Sequence, residues 1–115
     1  MAVVIVKELV TESDIARMKE EYDNYVKIVV DIENSILAAG GEWHAAAEKA
    51  LLNWGSVQQN LWGGGLDLET GEVDYISLIN TRPSLNNSQE VSDESIRKSM
   101  YRVISKIFGK YVKER

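Results

Sequence analysis

The chain contains one histidine, His44, and the acids near it define what chemistry it could join. Glu48 follows four residues on, on the same face of any helix through both. Glu42 stands just ahead. Asp31 and Glu33 alternate within a strand-like run and therefore share a side. If Asp31, Glu33, Glu42 and His44 converge, they make a divalent-metal or acid–base site, with Asp31 or Glu33 as base or ligand and His44 as proton shuttle or ligand. Neither H-x-x-x-H nor H-E-x-x-H spacing occurs, so no metal ligand is assigned, and no pattern names a cofactor. The plainer reading makes His44 and Glu48 a surface pair worth a few tenths of a kcal/mol and leaves Asp31 and Glu33 solvated.

Two further segments bear on binding. Ile79 to Ser84 puts Asn80 and Arg82 at a strand end, ahead of Pro83 and a polar loop. Arg82 can clamp a carboxylate or phosphate bidentately, or tie the loop down by pairing with Asp31, Glu33 or Glu42. Asn60 to Gly65 ends in three consecutive glycines, which weaken a strand unless something lies directly on it. The alternatives are a bend covered by Trp43 or Trp54, or a ligand groove floored by Gly64 and walled by Trp62. A phosphate site where Gly40-Gly41 enters a helix is disfavoured, because Glu42 places a negative charge in the expected first turn.

The elements that must position these groups follow from periodicity. Residues 2–7 read as a buried strand. Thr11 and Asp14 form a capping box and Val10 with Ile15 a hydrophobic staple, opening a helix that carries Ile15, Met18 and Tyr22 on one face and ends near Tyr22 to Asn24. Residues 25–33 alternate strictly, with Val26, Ile28, Val30 and Ile32 toward the core and a mostly polar opposite face. Ile36 to Ala39 adds a short strand. A helix over Glu42 to Trp54 should bury Trp43, Ala47, Ala50, Leu51 and Trp54 and stop at Gly55. Residues 57–68 and Val73 to Asn80 form a hairpin about Gly71. The last helix starts at Ser92 or Asp93 and buries Ile96, Met100, Val103, Ile104, Ile107 and Tyr111. The expected fold is α+β: a mixed, partly antiparallel sheet of four to five strands, three helices, and a long amphipathic C-terminal helix.

At 115 residues with 44% apolar and 27% charged content, the chain reads as one domain with its own core. It has no cysteine, no secretory core region and no apolar run near the length that crosses a bilayer. Those features lead to an expected cytoplasmic location and no membrane partner. The net charge of −5 divides unevenly: seven bases and one acid between Arg97 and Arg115 give +6, leaving −11 on the rest. The basic helix is expected to pair with the body's own acids. Nucleic acid is disfavoured, since no recognition motif is present. Three tryptophans and five tyrosines against one phenylalanine favour a homo-oligomeric interaction module as the alternative to a small-ligand site.

The segments ILAAGGEWH (36–44), NLWGGG (60–65) and INTRPS (79–84), followed by a helix opening DESIRK, together resemble a small prokaryotic family of domains of unknown function. The resemblance runs from about Tyr25 to Arg102 and implies a complete domain. It implies no activity.

Overall fold

The computed structural model describes residues 2–20 and 23–114. Five strands and three helices follow one another as β1 (Val4–Val6), α1 (Glu12–Met18), β2 (Tyr25–Asp31), β3 (Ile36–Ala39), α2 (His44–Trp54), β4 (Leu61–Asp67), β5 (Val73–Asp74) and α3 (Glu94–Phe108). The strands form one sheet in the order β1-β3-β2-β4-β5. This is the expected α+β class and terminal helix, with every pairing antiparallel rather than mixed. β2 is its spine, pairing with β3 from Ile28 to Asp31 and with β4 along its whole length, Tyr25 opposite Asp67 and Asp31 opposite Leu61.

α1 begins as its sequence dictates. Thr11 Oγ1 accepts from the Asp14 N–H, and the Asp14 carboxylate accepts in return from the Thr11 N–H. The helix ends at Met18, earlier than the expected Tyr22 to Asn24. Its Arg17 carbonyl is taken by the Ala2 N–H, and Met18 packs against Gly40, where no Cβ would fit. Tyr22 lies outside the described residues.

The sheet has a layer on each face, which corrects the expectation of a polar outer face on β2. On one side Val26, Ile28, Val30, Leu37, Trp62 and Leu66 meet Met18 of α1 and Met100, Val103, Ile104, Ile107 and Phe108 of α3. On the other, Val29, Ile36, Ala38 and Leu61 meet Ala47 and Leu51 of α2. α3 starts on Asp93, whose carboxylate accepts from the Ser95 and Ile96 N–H groups. Ile96 and Tyr111, expected in its core stripe, are only half-buried, and Phe108 takes the place of Tyr111.

The α2 stripe is narrower than expected. Ala47 and Leu51 are buried, but Trp43 and Trp54 are exposed. Trp43 is the N-cap, with an extended backbone, so helical period does not set its direction. Trp54 closes the helix with the Lys7 ammonium 5.1 Å from its ring.

β4 and β5 are shorter than expected. Gln58–Asn60 form a 3-10 turn before β4. β5 leaves β4 after Asp74: the chain then bridges to residues 89–91, through Ser77 N–H to the Gln89 carbonyl and Val91 N–H to the Tyr75 carbonyl. The rest of the β4 edge is closed by side chains. Gly63 gives its N–H to Asn80 Oδ1 and takes a hydrogen bond from Asn80 Nδ2, both at 2.8 Å, so one amide stands in for a strand. Leu61's carbonyl accepts from Arg82.

Candidate functional site

The expected cluster of Asp31, Glu33, Glu42, His44 and Arg82 does not assemble. Asp31 and His44 lie at opposite ends of α2: Asp31 ends β2 and bonds to Ser56 just after the helix, while His44 opens the helix beside Gly64. Among the described residues no group of three or more metal-ligating side chains comes together.

Asp31 is buried and fully partnered. Its Oδ1 accepts from the Glu33 and Asn34 N–H groups at 3.1 and 3.0 Å, and its Oδ2 from Asn34 Nδ2 at 2.8 Å and Ser56 Oγ at 2.6 Å. Burial pushes the carboxyl pKa up, but the bonds from Asn34, Ser56 and Glu33 outweigh it and hold the carboxyl below the usual range. Asp31 therefore clips the β2–β3 turn to the segment after α2, with no oxygen left for a ligand. Glu33 is exposed on that turn, and Glu42 is exposed ahead of α2.

Arg82 ties its loop down through backbone carbonyls, not through the expected pairing with Asp31, Glu33 or Glu42. Its guanidinium stacks 3.9 Å from the centre of the Trp62 ring and donates to the carbonyls of Gln59 and Leu61. Burial draws its pKa down, against the charge of Glu48. Glu48 makes no ion pair with His44, and its Oε2 is buried without a hydrogen-bond partner. Asn80 is spent on the β4 edge and on the carbonyls of Tyr75 and Gln89. Trp62 faces the α3 core and walls no groove.

The three glycines are covered by the protein itself. A Cβ on Gly63 would lie 2.5 Å from Ser77 Cβ, one on Gly64 2.2 Å from the Asp74 carbonyl oxygen, and one on Gly65 1.9 Å from the Tyr25 hydroxyl. Tyr25 thus lies flat across Gly65, and its hydroxyl donates to Asp74 Oδ2 at 2.7 Å. Burial, then that carboxylate, raise the Tyr25 pKa far above its ordinary value, so the phenol keeps its proton.

His44 reaches the same surface. Its Nε2 lies 2.6 Å from the Gly64 carbonyl oxygen, which can only accept, so Nε2 carries the proton. Burial lowers the imidazole pKa, the Gly64 carbonyl opposes it, Lys27 lowers it further and Asp74 raises it; the net shift is downward and the ring is neutral at pH 7. Beside it opens a cleft of about 390 Å³. Trp43, Ala45, Ile76, Leu78 and Ile79 give it apolar walls, and Lys27, His44, Ser77 and Gln89 a polar lining. Trp43 is 66% exposed, Ile76 49% and Leu78 72%, so much of this apolar wall meets water. α2 opens here with no side-chain cap and no acid in its first turn, because the helix begins at His44 and leaves Glu42 outside.

Of this cleft, sequence reasoning found His44 and missed the rest. Alternation along β2 puts Lys27 on an open polar face, and helical period puts Trp43 in the α2 stripe. A regular strand through Ile76 to Ile79 turns only half of them one way, whereas the cleft takes all four. No local signal marks the rest: Trp43 offers no capping side chain to fix the helix start, and the Ile76 to Ile79 wall is set by bonds to residues 89–91.

The model of a family described as "Protein of unknown function (DUF5674)" matches residues 4–107. No curated protein and no solved structure matches the chain.

Proposed function

The chain belongs to the DUF5674 family of proteins of unknown function, and on the geometry of its cleft we propose that it is a single-domain small-ligand binding protein. The observation that carries this is the pairing of an exposed apolar wall with a small convergent polar lining in one concave site. That is the usual make-up of ligand pockets, and about 390 Å³ falls at the small end of their size range. Of the expected acid–base cluster, Asp31 and His44 are hydrogen-bonded within the fold while Glu33 and Glu42 stand apart on the surface, and this favours binding over catalysis as the role. A cysteine-free chain, with no described helix long and apolar enough to cross a membrane, fits a reducing prokaryotic cytoplasm as its working place.

Amide shifts in ¹H–¹⁵N spectra during titration with a library of small ring-bearing compounds test the reading. Binders should shift the amides of Trp43 to Ala46 and Ile76 to Ile79. Leu78→Asp should weaken them about tenfold or more, because it puts a charge on the apolar wall while the exposed position leaves the fold intact. A library that leaves these amides unmoved, or shifts residues elsewhere, would overturn it.

The exposure of Trp43, Ile76 and Leu78 also favours a second reading, in which a further copy of the chain covers the same wall as a homodimer. Light scattering decides it: a monomer mass at high concentration removes this reading, and a dimer dispersed by Leu78→Asp supports it.

A further inference from the structure

Given that the cleft binds a small ligand, we propose that the ligand is an organic anion: a carboxylate, or a group of the same charge, on a small apolar body, with the charge met by Lys27. Lys27 projects from β2 on the α2 side and lines the cleft, and its charge is felt at His44. The protein carries 18 acids, yet no carboxylate lines this cleft. Among the described residues the ion pairs are Arg97 with Glu90 and Lys113 with Glu72, so none involves Lys27. The Tyr25 ring lies beside it, with its centre 5.9 Å from Nζ. Asp74, the acid whose charge acts on His44, already accepts from the Tyr25 hydroxyl and the Ile76 N–H.

Lys27 therefore brings to an apolar wall a cation that no described carboxylate pairs with, within a molecule of net charge −5. A neutral apolar ligand would strip water from that ammonium and return nothing, and a cationic one would be repelled. An anion exchanges the lost water for a charge-assisted hydrogen bond. Ser77 adds to this. Its oxygen accepts from the Ile79 N–H, which leaves the hydroxyl hydrogen to give. The cleft volume limits the apolar body to about one ring or a short chain.

The matched probes are 4-phenylbutyrate and 4-phenylbutyramide, equal in shape and different in charge, with affinity read from the amide shifts of residues 43–46 and 76–79. The carboxylate should bind about tenfold tighter or more, the advantage of one charge-assisted hydrogen bond. Lys27→Gln should erase the difference and Lys27→Arg keep it. If Lys27→Gln does not fold, the intact protein gives the same information: carboxylate binding weakens from roughly 0.05 to 0.5 M salt while amide binding does not. Equal affinities for the two probes overturn the anion and leave the cleft as a neutral-ligand site, and an advantage that survives both Lys27→Gln and added salt overturns Lys27 as the group that meets the charge. If neither probe moves these amides, the anion falls and the reading of the cleft falls with it.

Discussion

Asp31 has four donors and no counter-ion among the described residues, so its stabilisation is a matter of hydrogen bonding rather than ion pairing. Asn in its place keeps one acceptor oxygen and turns an NH₂ group toward donors that then lose their partner. Leaving such buried groups unsatisfied costs about 1–3 kcal/mol apiece, so Asp31→Asn should lower the unfolding free energy by about 3 kcal/mol in urea titrations at pH 7. The same bonds set a pH dependence. The folded carboxyl has a lower pKa than the unfolded one, so below about pH 4 the unfolded chain takes up the proton more readily. The stability Asp31 supplies is complete above that pH and is lost as pH falls through the folded value. The acid limb of wild-type stability, measured from about pH 6 to pH 2, should be steeper than that of Asp31→Asn. Matching slopes would mean that the carboxylate is not held down. Asp31 also shows why the expected catalytic cluster misled. An acid on a strand's polar side looks solvated in sequence, and only the return of the chain through Ser56 reveals that its oxygens are occupied.

At the scale of the element, β4 shows what sequence can say about glycine and what it cannot. Three glycines in a strand predict that something lies on it, and something does. What lies there is a serine, a neighbouring backbone and a tyrosine ring, supplied by residues 10 to 40 positions away along the chain. The three positions differ in what can yield. At Gly65 the obstacle is the end of the Tyr25 side chain, whereas at Gly64 it is the Asp74 backbone, fixed by pairing with β4 itself. Gly64→Ala should therefore cost about 3 kcal/mol, at the upper end of the usual penalty for overpacking, and should release β5. Chemical denaturation reads the first, and loss of protection at residues 73 and 74 in hydrogen exchange reads the second. An alanine variant with wild-type stability would show that β5 is not pressed against β4. The helices were more legible than the strands: the capping box of α1 and the stripe of α3 are local signals, carried within a few residues. The end of β5, the Asn80 amide bonded to Gly63 and the exposed Trp43 depend on partners far off in sequence.

Across the whole molecule the two layers are unequal, and the cleft belongs to the thinner one. α3 commits Met100, Val103, Ile104, Ile107 and Phe108 to its side of the sheet, whereas α2 commits only Ala47 and Leu51. Burying a large aliphatic or aromatic side chain contributes about 1.5–3 kcal/mol, so the α3 layer is anchored several times more strongly than the α2 layer. The charge imbalance does not change this. The basic stretch pairs with the body through Arg97 and Lys113, while Lys98, Arg102 and Lys106 face outward on α3. Regions with few buried apolar contacts open at lower free energy than the global transition. The amides of α2 should therefore exchange with solvent sooner than those of β2 and α3, although α2 is a regular helix of 11 residues. A ligand seated between Trp43 and Leu78 binds only while α2 is docked, because Trp43, His44 and Ala45 come from its first turn and Ile76 to Ile79 from the opposite wall. Binding should therefore slow exchange along α2 by the factor that mass action gives, about a hundredfold at a ligand concentration one hundred times Kd, as it slows every opening that takes the site apart. Hydrogen exchange followed by mass spectrometry, with and without 4-phenylbutyrate, measures both. Protection of α2 equal to that of α3 in the free protein would show that the thin layer is not the weak one, and α2 exchange that saturating ligand leaves unchanged would show that binding does not depend on the docked helix.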